Sequence, residues 1–141
     1  MSAITTEMQE FISRVVHDGS NYRMDAMEKL YTHDMAILFP TREGAIAAAP
    51  RKEVFAEFAA RGQAGETPLS TEYKVLHAED QGEYATALLY RRMSDTTAPF
   101  LYELRLKRGG AYGWLVAGET VTPWPDPETA GAFLPPRQAA A

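Results

Sequence analysis

Residues 69–122, LSTEYKVLHAEDQGEYATALLYRRMSDTTAPFLYELRLKRGGAYGWLVAGETVT, decide the fold. The first part, residues 71–79 (TEYKVLHAE), alternates between two sets of side chains with the period of two that is typical of a β-strand. Asp80-Gln81-Gly82 supplies a turn, because glycine adopts a positive φ at no steric cost. Residues 84–93 (YATALLYRRM) form the return strand, so the stretch begins with a β-hairpin.

A second hairpin turns at Gly109-Gly110, between FLYELRLKR and AYGWLVAGETV. Together the two hairpins predict one curved antiparallel sheet. With two-residue loops at both turns, His77 lies opposite Thr86 and Leu104 lies opposite Leu115. A slip of one residue would move every side chain to the other face, so this register decides what lines the interior.

The predicted sheet has two faces, and neither is simply polar, so we expect both to contact something. Face one carries Tyr73, Val75, His77, Thr86, Leu88, Tyr90, Arg92, Phe100, Tyr102, Leu104, Leu115, Ala117, Glu119 and Val121. Face two carries Leu76, Ala87, Leu89, Arg91, Met93, Leu101, Glu103, Arg105, Trp114 and Val116.

The composition is that of an ordinary globular protein, 45% hydrophobic and 23% charged in 141 residues, which is enough for one domain. Absence of cysteine excludes disulfides and thiol nucleophiles. A net charge of −5 argues against a nucleic-acid partner. The N-terminus MSAITTEMQE lacks the pattern of a signal peptide, and no apolar stretch approaches the ~20 residues that span a bilayer. We therefore expect a cytoplasmic protein with no membrane contact.

Three helices are predicted before the sheet. Residues 4–18 have an amphipathic pattern that Thr5 or Thr6 can cap. A shorter helix follows at about residues 24–31, and a third runs from Pro50 to about Arg61. Between them, MAILF forms a short strand.

This order predicts an α+β fold, in which a cone-shaped, curved antiparallel sheet of four to six strands wraps around three N-terminal helices. Residues 1–122 form this domain, and residues 123–141 form a proline-rich C-terminal tail.

The element order, the junction LYTHDMAILFP and the closing strand GWLVAGETV resemble the nuclear transport factor 2-like (cystatin-like α+β) superfamily. This superfamily includes SnoaL-like polyketide cyclases, ketosteroid isomerases and scytalone dehydratases. The resemblance covers residues 4–122. It implies a ligand cavity inside the cone and a homodimer through the outer face of the sheet. It implies no particular reaction, because this fold hosts many unrelated activities.

The catalytic residues of the ketosteroid isomerases do not carry over to this chain. Their general base, an Asp before the proline that ends the first strand, corresponds to Phe39, which we expect to contact substrate instead. Their oxyanion-hole Asp corresponds to Tyr102, and their catalytic tyrosine falls near Phe11 or Ile12. The same alignment places face one inside the cone.

Glu119 and His77 are the candidate catalytic residues. On an apolar inner face, desolvation would raise the pKa of Glu119 and suit it to proton transfer. The alternative is a solvated rim position or an ion pair with Arg92. His77 titrates near neutral pH when unperturbed, although a lone strand histidine is more often structural.

The candidate substrate-binding residues besides Phe39 are Tyr73, Tyr90, Arg92 and Tyr102. The three tyrosines offer hydroxyls at the ends of apolar bodies, which suits recognition of a carbonyl or hydroxyl, or simply packing in the core. Arg92 would anchor an anionic group or pair with Glu119. The sequence contains no metal-ligand spacing and no phosphate loop, so we expect neither a metal nor a cofactor.

Three functions remain open from the sequence. The first is a SnoaL-like protein that binds a small apolar ligand bearing a carbonyl or hydroxyl, and acts as a cofactor-free isomerase, dehydratase or cyclase. The second is a binding module without catalysis. The third is a protein-interaction domain whose cone is filled by its own aromatic side chains. For all three, Trp114 on face two predicts a homodimer through the outer sheet face.

Overall fold

The computed structural model describes residues 4–124, which form three helices and one six-stranded sheet. In chain order the elements are α1 (Thr6–Ser20), α2 (Met24–Met27), β1 (Ala36–Pro40), β2 (Ile46–Pro50), α3 (Arg51–Gln63), β3 (Tyr73–Asp80), β4 (Tyr84–Arg91), β5 (Phe100–Arg108) and β6 (Trp114–Pro123). The strands lie in the order β2-β1-β6-β5-β4-β3. The predicted α+β fold is confirmed, with one difference in the sheet: β1 and β6 are parallel.

The helices follow from local sequence signals. Thr5 caps α1, and its hydroxyl accepts a hydrogen bond of 3.2 Å from the Met8 N–H. α2 ends four residues earlier than the sequence pattern predicts. The reason is that Leu30 and Thr32 instead exchange backbone hydrogen bonds with Val116 of β6, at 2.7 and 3.0 Å. This pairing fixes Tyr31 against the sheet in an isolated bridge to Val116.

The predicted register of the first hairpin is wrong. Gly82 and Glu83 form its two-residue loop, since the Gln81 N–H donates to the Tyr84 carbonyl at 2.8 Å. A bulge between Val75 and His77 then inserts one extra residue into β3. The extra residue, Leu76, shifts the alternation by one, so side chains two residues apart across the bulge lie on opposite faces. Tyr73 and Val75 therefore pack against the core, whereas His77 lies on the outer face opposite Leu88.

The predicted register of the second hairpin is also wrong, but Glu119 still lies on the same face as Leu104, as predicted. The loop contains five residues, 109–113, and a bulge interrupts the pairing between Arg105 and Leu106. Leu104 pairs with Glu119 and Tyr102 with Val121, all on the inner face. Trp114 pairs with Arg108 on the turn side of the bulge.

The core lies between the helices and the concave face of the sheet. Its buried side chains include Met8, Phe11 and Ile12 of α1, Ala87 and Leu89 of β4, and Leu104, Leu106, Trp114 and Val116 of β5 and β6. Trp114 is 0% exposed, so its predicted place on an outer dimer face is wrong.

No helix in residues 4–124 is long and apolar enough to cross a membrane. The predicted C-terminal tail lies outside the described residues from residue 125 onward, and β6 extends to Pro123 at the start of that tail.

Candidate functional site

A cavity of about 70 Å³ lies inside the cone, between the C-terminal half of α1 and the concave face of the sheet. Most of its lining is apolar. Its polar members are Ser20, Tyr31, Arg91, Tyr102 and Glu119. A volume of this size accommodates a few water molecules or a head group of a few atoms.

A wider apolar space of about 500 Å³, here called the vestibule, lies next to this cavity. The two spaces share Ile37, Phe58, Leu69, Met93 and Tyr102 in their walls. The outer part of the vestibule is lined by Phe39, Pro40, Arg61, Phe100, Val121 and Pro123. Together the two spaces have the form of most small-molecule sites, an apolar cleft with a few convergent polar groups.

Glu119 is 5% exposed and lines the inner cavity from β6. Its backbone is held between Leu104 of β5 and Ile37 of β1, so its side chain faces inward. Within residues 4–124, no hydrogen-bond donor or ion-pair partner reaches its carboxylate. Burial therefore raises the pKa of Glu119 to about 7, although the positive charges of Arg105 and Arg91 act in the opposite direction.

Two tyrosine hydroxyls share this cavity with Glu119. Tyr102 projects from β5, and Tyr31 is held by the backbone pairing of residues 30–32 to β6. Burial raises the pKa of both phenols, and the negative charge of Glu119 raises each of them further. Both hydroxyls therefore stay protonated at neutral pH and are able to donate hydrogen bonds to a ligand.

Arg91 of β4 is the cationic group of the cavity and is 4% exposed. It donates hydrogen bonds to the Ser20 hydroxyl at 2.7 Å, to the Ser70 carbonyl and to the Glu72 carbonyl at 3.3 Å. These bonds link the end of α1 to the segment just before β3. Burial lowers the pKa of Arg91, but a guanidinium remains charged at any pH the protein experiences.

Of the predicted site residues, Glu119, Tyr102, Tyr73 and Phe39 lie on the inner face. Glu119 and Tyr102 are in the cavity wall, whereas Phe39 is 41% exposed and lines the vestibule. Tyr73 packs against the edge of the core and is absent from the walls of both spaces.

The predicted inner-face positions of His77, Tyr90 and Arg92 are wrong, since all three lie on the outer face. The Arg92 guanidinium pairs with Glu72 at 3.3 Å and donates to the Tyr90 hydroxyl at 3.1 Å. The Arg92 and Glu72 side chains are 32% and 50% exposed, so this ion pair is solvated. His77 lies 3.1 Å from Glu79, and its side chain is 45% exposed. Glu119 and Arg92 therefore lie on opposite faces and do not pair.

Sequence reasoning missed Tyr31 and Arg91 as site residues. Tyr31 falls at the end of the predicted second helix, and the backbone bridge that positions it against β6 has no local sequence signal. Arg91 was placed on face two. The alternation Ala85, Ala87, Leu89, Arg91 was a usable signal, because small and apolar residues followed by an arginine are typical of a buried strand face that ends at a polar group.

No three His, Asp or Glu side chains converge on a possible metal position anywhere in the described part of the chain. The polar groups of the cavity are one carboxylate, one guanidinium, two phenols and the Ser20 hydroxyl. They are suited to hydrogen bonding and proton transfer.

No protein-family model and no curated protein sequence matches the chain. Solved structures do match it over most of its length. An NTF2-like protein of unknown function from Shewanella baltica OS155 is 13% identical, with a TM-score of 0.67 over 88% of this chain and 100% of the other. An NTF-2 like protein of unknown function from Silicibacter pomeroyi DSS-3 is 15% identical, with a TM-score of 0.64 over 84% and 98%.

A cystatin-like fold protein from Burkholderia xenovorans LB400 gives the same result, with a TM-score of 0.60 at 13% identity over 86% of this chain and 92% of the other. At such identities the likeness concerns the fold alone. Together with the sheet order and the helix-lined cone, these matches show that the chain has the nuclear transport factor 2-like, cystatin-like fold.

Proposed function

We propose that this protein binds a small molecule with an apolar body and a polar head, and that Glu119 exchanges a proton with it. The observation that carries the proposal is the Glu119 carboxylate, which is 5% exposed, faces the cavity and has no partner among residues 4–124. A buried, unpaired carboxylate is costly to keep unless a ligand or reaction uses it.

The arrangement supports cofactor-free acid–base chemistry on a carbonyl compound. With its pKa at about 7, Glu119 is half ionised near neutral pH and serves equally well as base or acid. As base, it takes a proton from the carbon next to the carbonyl, and the electron pair moves onto the carbonyl oxygen. We expect Tyr31 and Tyr102, which line the same cavity, to donate hydrogen bonds to that oxygen. Return of the proton to another carbon completes an isomerisation. In a dehydration, the enolate electron pair forms the new double bond, and the β-hydroxyl leaves as water with the proton that Glu119 took.

Exchange of carbon-bound hydrogen tests this reaction without knowledge of the substrate. Cyclohexanone is incubated with the protein in D₂O, and the loss of its α-hydrogens is followed by NMR. We expect exchange above the buffer rate with the wild-type protein and the buffer rate with Glu119→Gln. His77→Gln, on the outer face, is the matched control and should retain exchange. Equal rates in the wild type and Glu119→Gln would remove Glu119 from catalysis.

A ligand carrier without catalysis is the second candidate. It is favoured by Phe39, because this apolar residue corresponds to the general base of the ketosteroid isomerases. The apolar vestibule around Phe39 favours it as well. Native mass spectrometry of freshly purified protein, under gentle and denaturing conditions, tests this candidate. A co-purifying small molecule together with no hydrogen exchange would select the carrier.

We also propose a homodimer through the outer sheet face, as the resemblance implies. Leu38, Leu88 and Leu101 lie half-buried on this face, beside Ile46, which is 64% exposed. Leu88→Glu should convert a dimer to a monomer in light scattering, and Gln63→Glu on α3 should not. A dimer that survives Leu88→Glu would exclude this interface. The cytoplasmic location expected from the sequence stays a prediction.

A further inference from the structure

Arg91 is the cavity group that the proposed proton transfer leaves without a use. Its guanidinium is buried, and no carboxylate in the described residues lies within ion-pair distance of it. Its three hydrogen-bond partners, Ser20, Ser70 and Glu72, bond through a hydroxyl and two backbone carbonyls. They satisfy donors but leave the positive charge without a counter-ion, which is costly in a buried site.

The remaining donors of Arg91 match a carboxylate. A guanidinium has five N–H groups in one plane, and the hydrogen bonds to Ser70, Glu72 and Ser20 use three of them. Within residues 4–124 no acceptor is found for Nε–H or for the second hydrogen of Nη2. Nε and Nη2 share one edge of the plane, the edge that bonds both oxygens of a carboxylate in parallel.

We infer that the ligand carries an anionic carboxylate head that binds Arg91 in the inner cavity, while its apolar body fills the vestibule. The inference rests on the proposed function, because it assigns the ligand class of that same site. The volumes agree with it: about 70 Å³ next to Arg91 holds a small head group, and about 500 Å³ beyond it holds an acyl or aryl body.

Glu119 gives such a ligand a distinctive pH dependence. An ionised Glu119 repels a carboxylate in the same cavity, and a protonated Glu119 does not, so binding of an anion should strengthen as pH falls through the pKa of Glu119. An uncharged ligand lacks this repulsion. The charged and titratable groups that act on Glu119, Tyr31 and Tyr102 are one another, Arg91, Arg105 and Asp18 of α1. In addition, α3 contributes Arg61 to the vestibule wall.

Three probes with one apolar chain and different heads test the inference: octanoate, octanamide and octanol. Calorimetric titration at about pH 6 should show octanoate binding at least about tenfold more tightly than the two neutral probes. The advantage of octanoate should shrink at about pH 8, and Glu119→Gln should restore it there. Arg91→Lys should lose most of the preference for octanoate, whereas Arg92→Lys on the outer face should keep it.

The possible outcomes separate this inference from the proposed function. If octanamide or octanol binds as well as octanoate at both pH values, the site exists but the carboxylate assignment is overturned. If none of the three probes binds, the proposed function fails and the inference fails with it. Should Arg91→Lys not fold, the pH dependence of octanoate binding to the wild type and to Glu119→Gln still decides the question.

Discussion

Arg91 and Glu119 lie on the same concave face of the sheet, on β4 and β6, with β5 between them, and both line one cavity without forming an ion pair. Arg91 pairs with Phe100 and Glu119 pairs with Leu104, so their backbones are two strand spacings apart across the sheet and four residues apart along β5, or roughly 16 Å. Opposite charges that are buried in one cavity but held apart leave room for a ligand between them. A direct ion pair between Arg91 and Glu119 would leave no such space.

Replacing Glu119 by glutamine should change stability in a pH-dependent way. Because burial raises the pKa of Glu119 from 4.5 to about 7, the folded protein resists its ionisation, and the unfolded chain does not. The contribution of Glu119 to the free energy of unfolding is therefore largest below about pH 4.5, where the residue is protonated in both states. As pH rises toward 7, the unfolding free energy falls by on the order of 3 kcal/mol.

Denaturant unfolding of wild type and Glu119→Gln from about pH 4 to about pH 8 measures this effect. The variant should be the more stable protein at the alkaline end, and the difference should narrow at the acidic end. A difference in unfolding free energy that does not change with pH would contradict the burial of an ionisable Glu119.

Arg105 should hold the pKa of Glu119 down from the other side of the sheet. Its guanidinium packs against Gly118, where an added Cβ would lie 2.5 Å from Nη2, and it bonds to Glu103 and to the Thr120 hydroxyl. Arg105→Gln removes this charge and should raise the pKa of Glu119, as read from its carboxyl carbon by NMR. Glu103→Gln keeps the cation and should not raise it; a rise in both variants would show that packing, not charge, is responsible.

Trp114 should behave as a core residue. Its ring is fully buried and is covered by the Arg108 guanidinium at 3.8 Å from the ring centroid. Trp114→Ala should cost about 3–5 kcal/mol of unfolding free energy, measured with urea. Trp124→Ala is the matched control, since Trp124 is 43% exposed, and it should cost far less. Similar costs for the two would mean that the second hairpin has a different register.

His77 and Tyr90, which the sequence predicted in the site but which lie on the outer face, should not be needed for binding of the octanoate, octanamide and octanol probes. His77→Ala and Tyr90→Phe alter groups that contact Glu79 and Glu72 on the convex side. Both should leave probe affinity unchanged, whereas Tyr102→Phe removes a hydroxyl from the cavity and should weaken octanamide binding by about fivefold to tenfold. A loss of affinity in His77→Ala equal to that in Tyr102→Phe would contradict the assignment of faces.

The order of elements was predictable because periodicity and turn residues are local signals. The registers were not, because the bulges in β3 and β6 add residues that no local pattern marks. Glu119 was nevertheless placed on the correct face for a fortuitous reason. The loop is three residues longer than assumed and the bulge adds a fourth, so the even shift returns Glu119 to the face of Leu104. Between the turn and the bulge, the register differs from the predicted one by three residues. This odd shift places Trp114 on the inner face.

The cavity itself depends on contacts between distant parts of the chain. Tyr31 reaches it through backbone bonds to Val116, and Arg91 is positioned by Ser20 and Ser70. None of these contacts has a signature in the sequence near either partner. The candidate carboxylate was therefore found from sequence, but the groups that surround it were found only in the fold.

The most direct test of the central claim is an NMR titration of the glutamate carboxyl carbons, with and without octanamide. We predict one resonance that titrates near pH 7, is absent from Glu119→Gln and shifts when octanamide is added. If every glutamate titrates in the ordinary range, around pH 4 to 5, and none responds to octanamide, Glu119 is neither buried nor part of a ligand site.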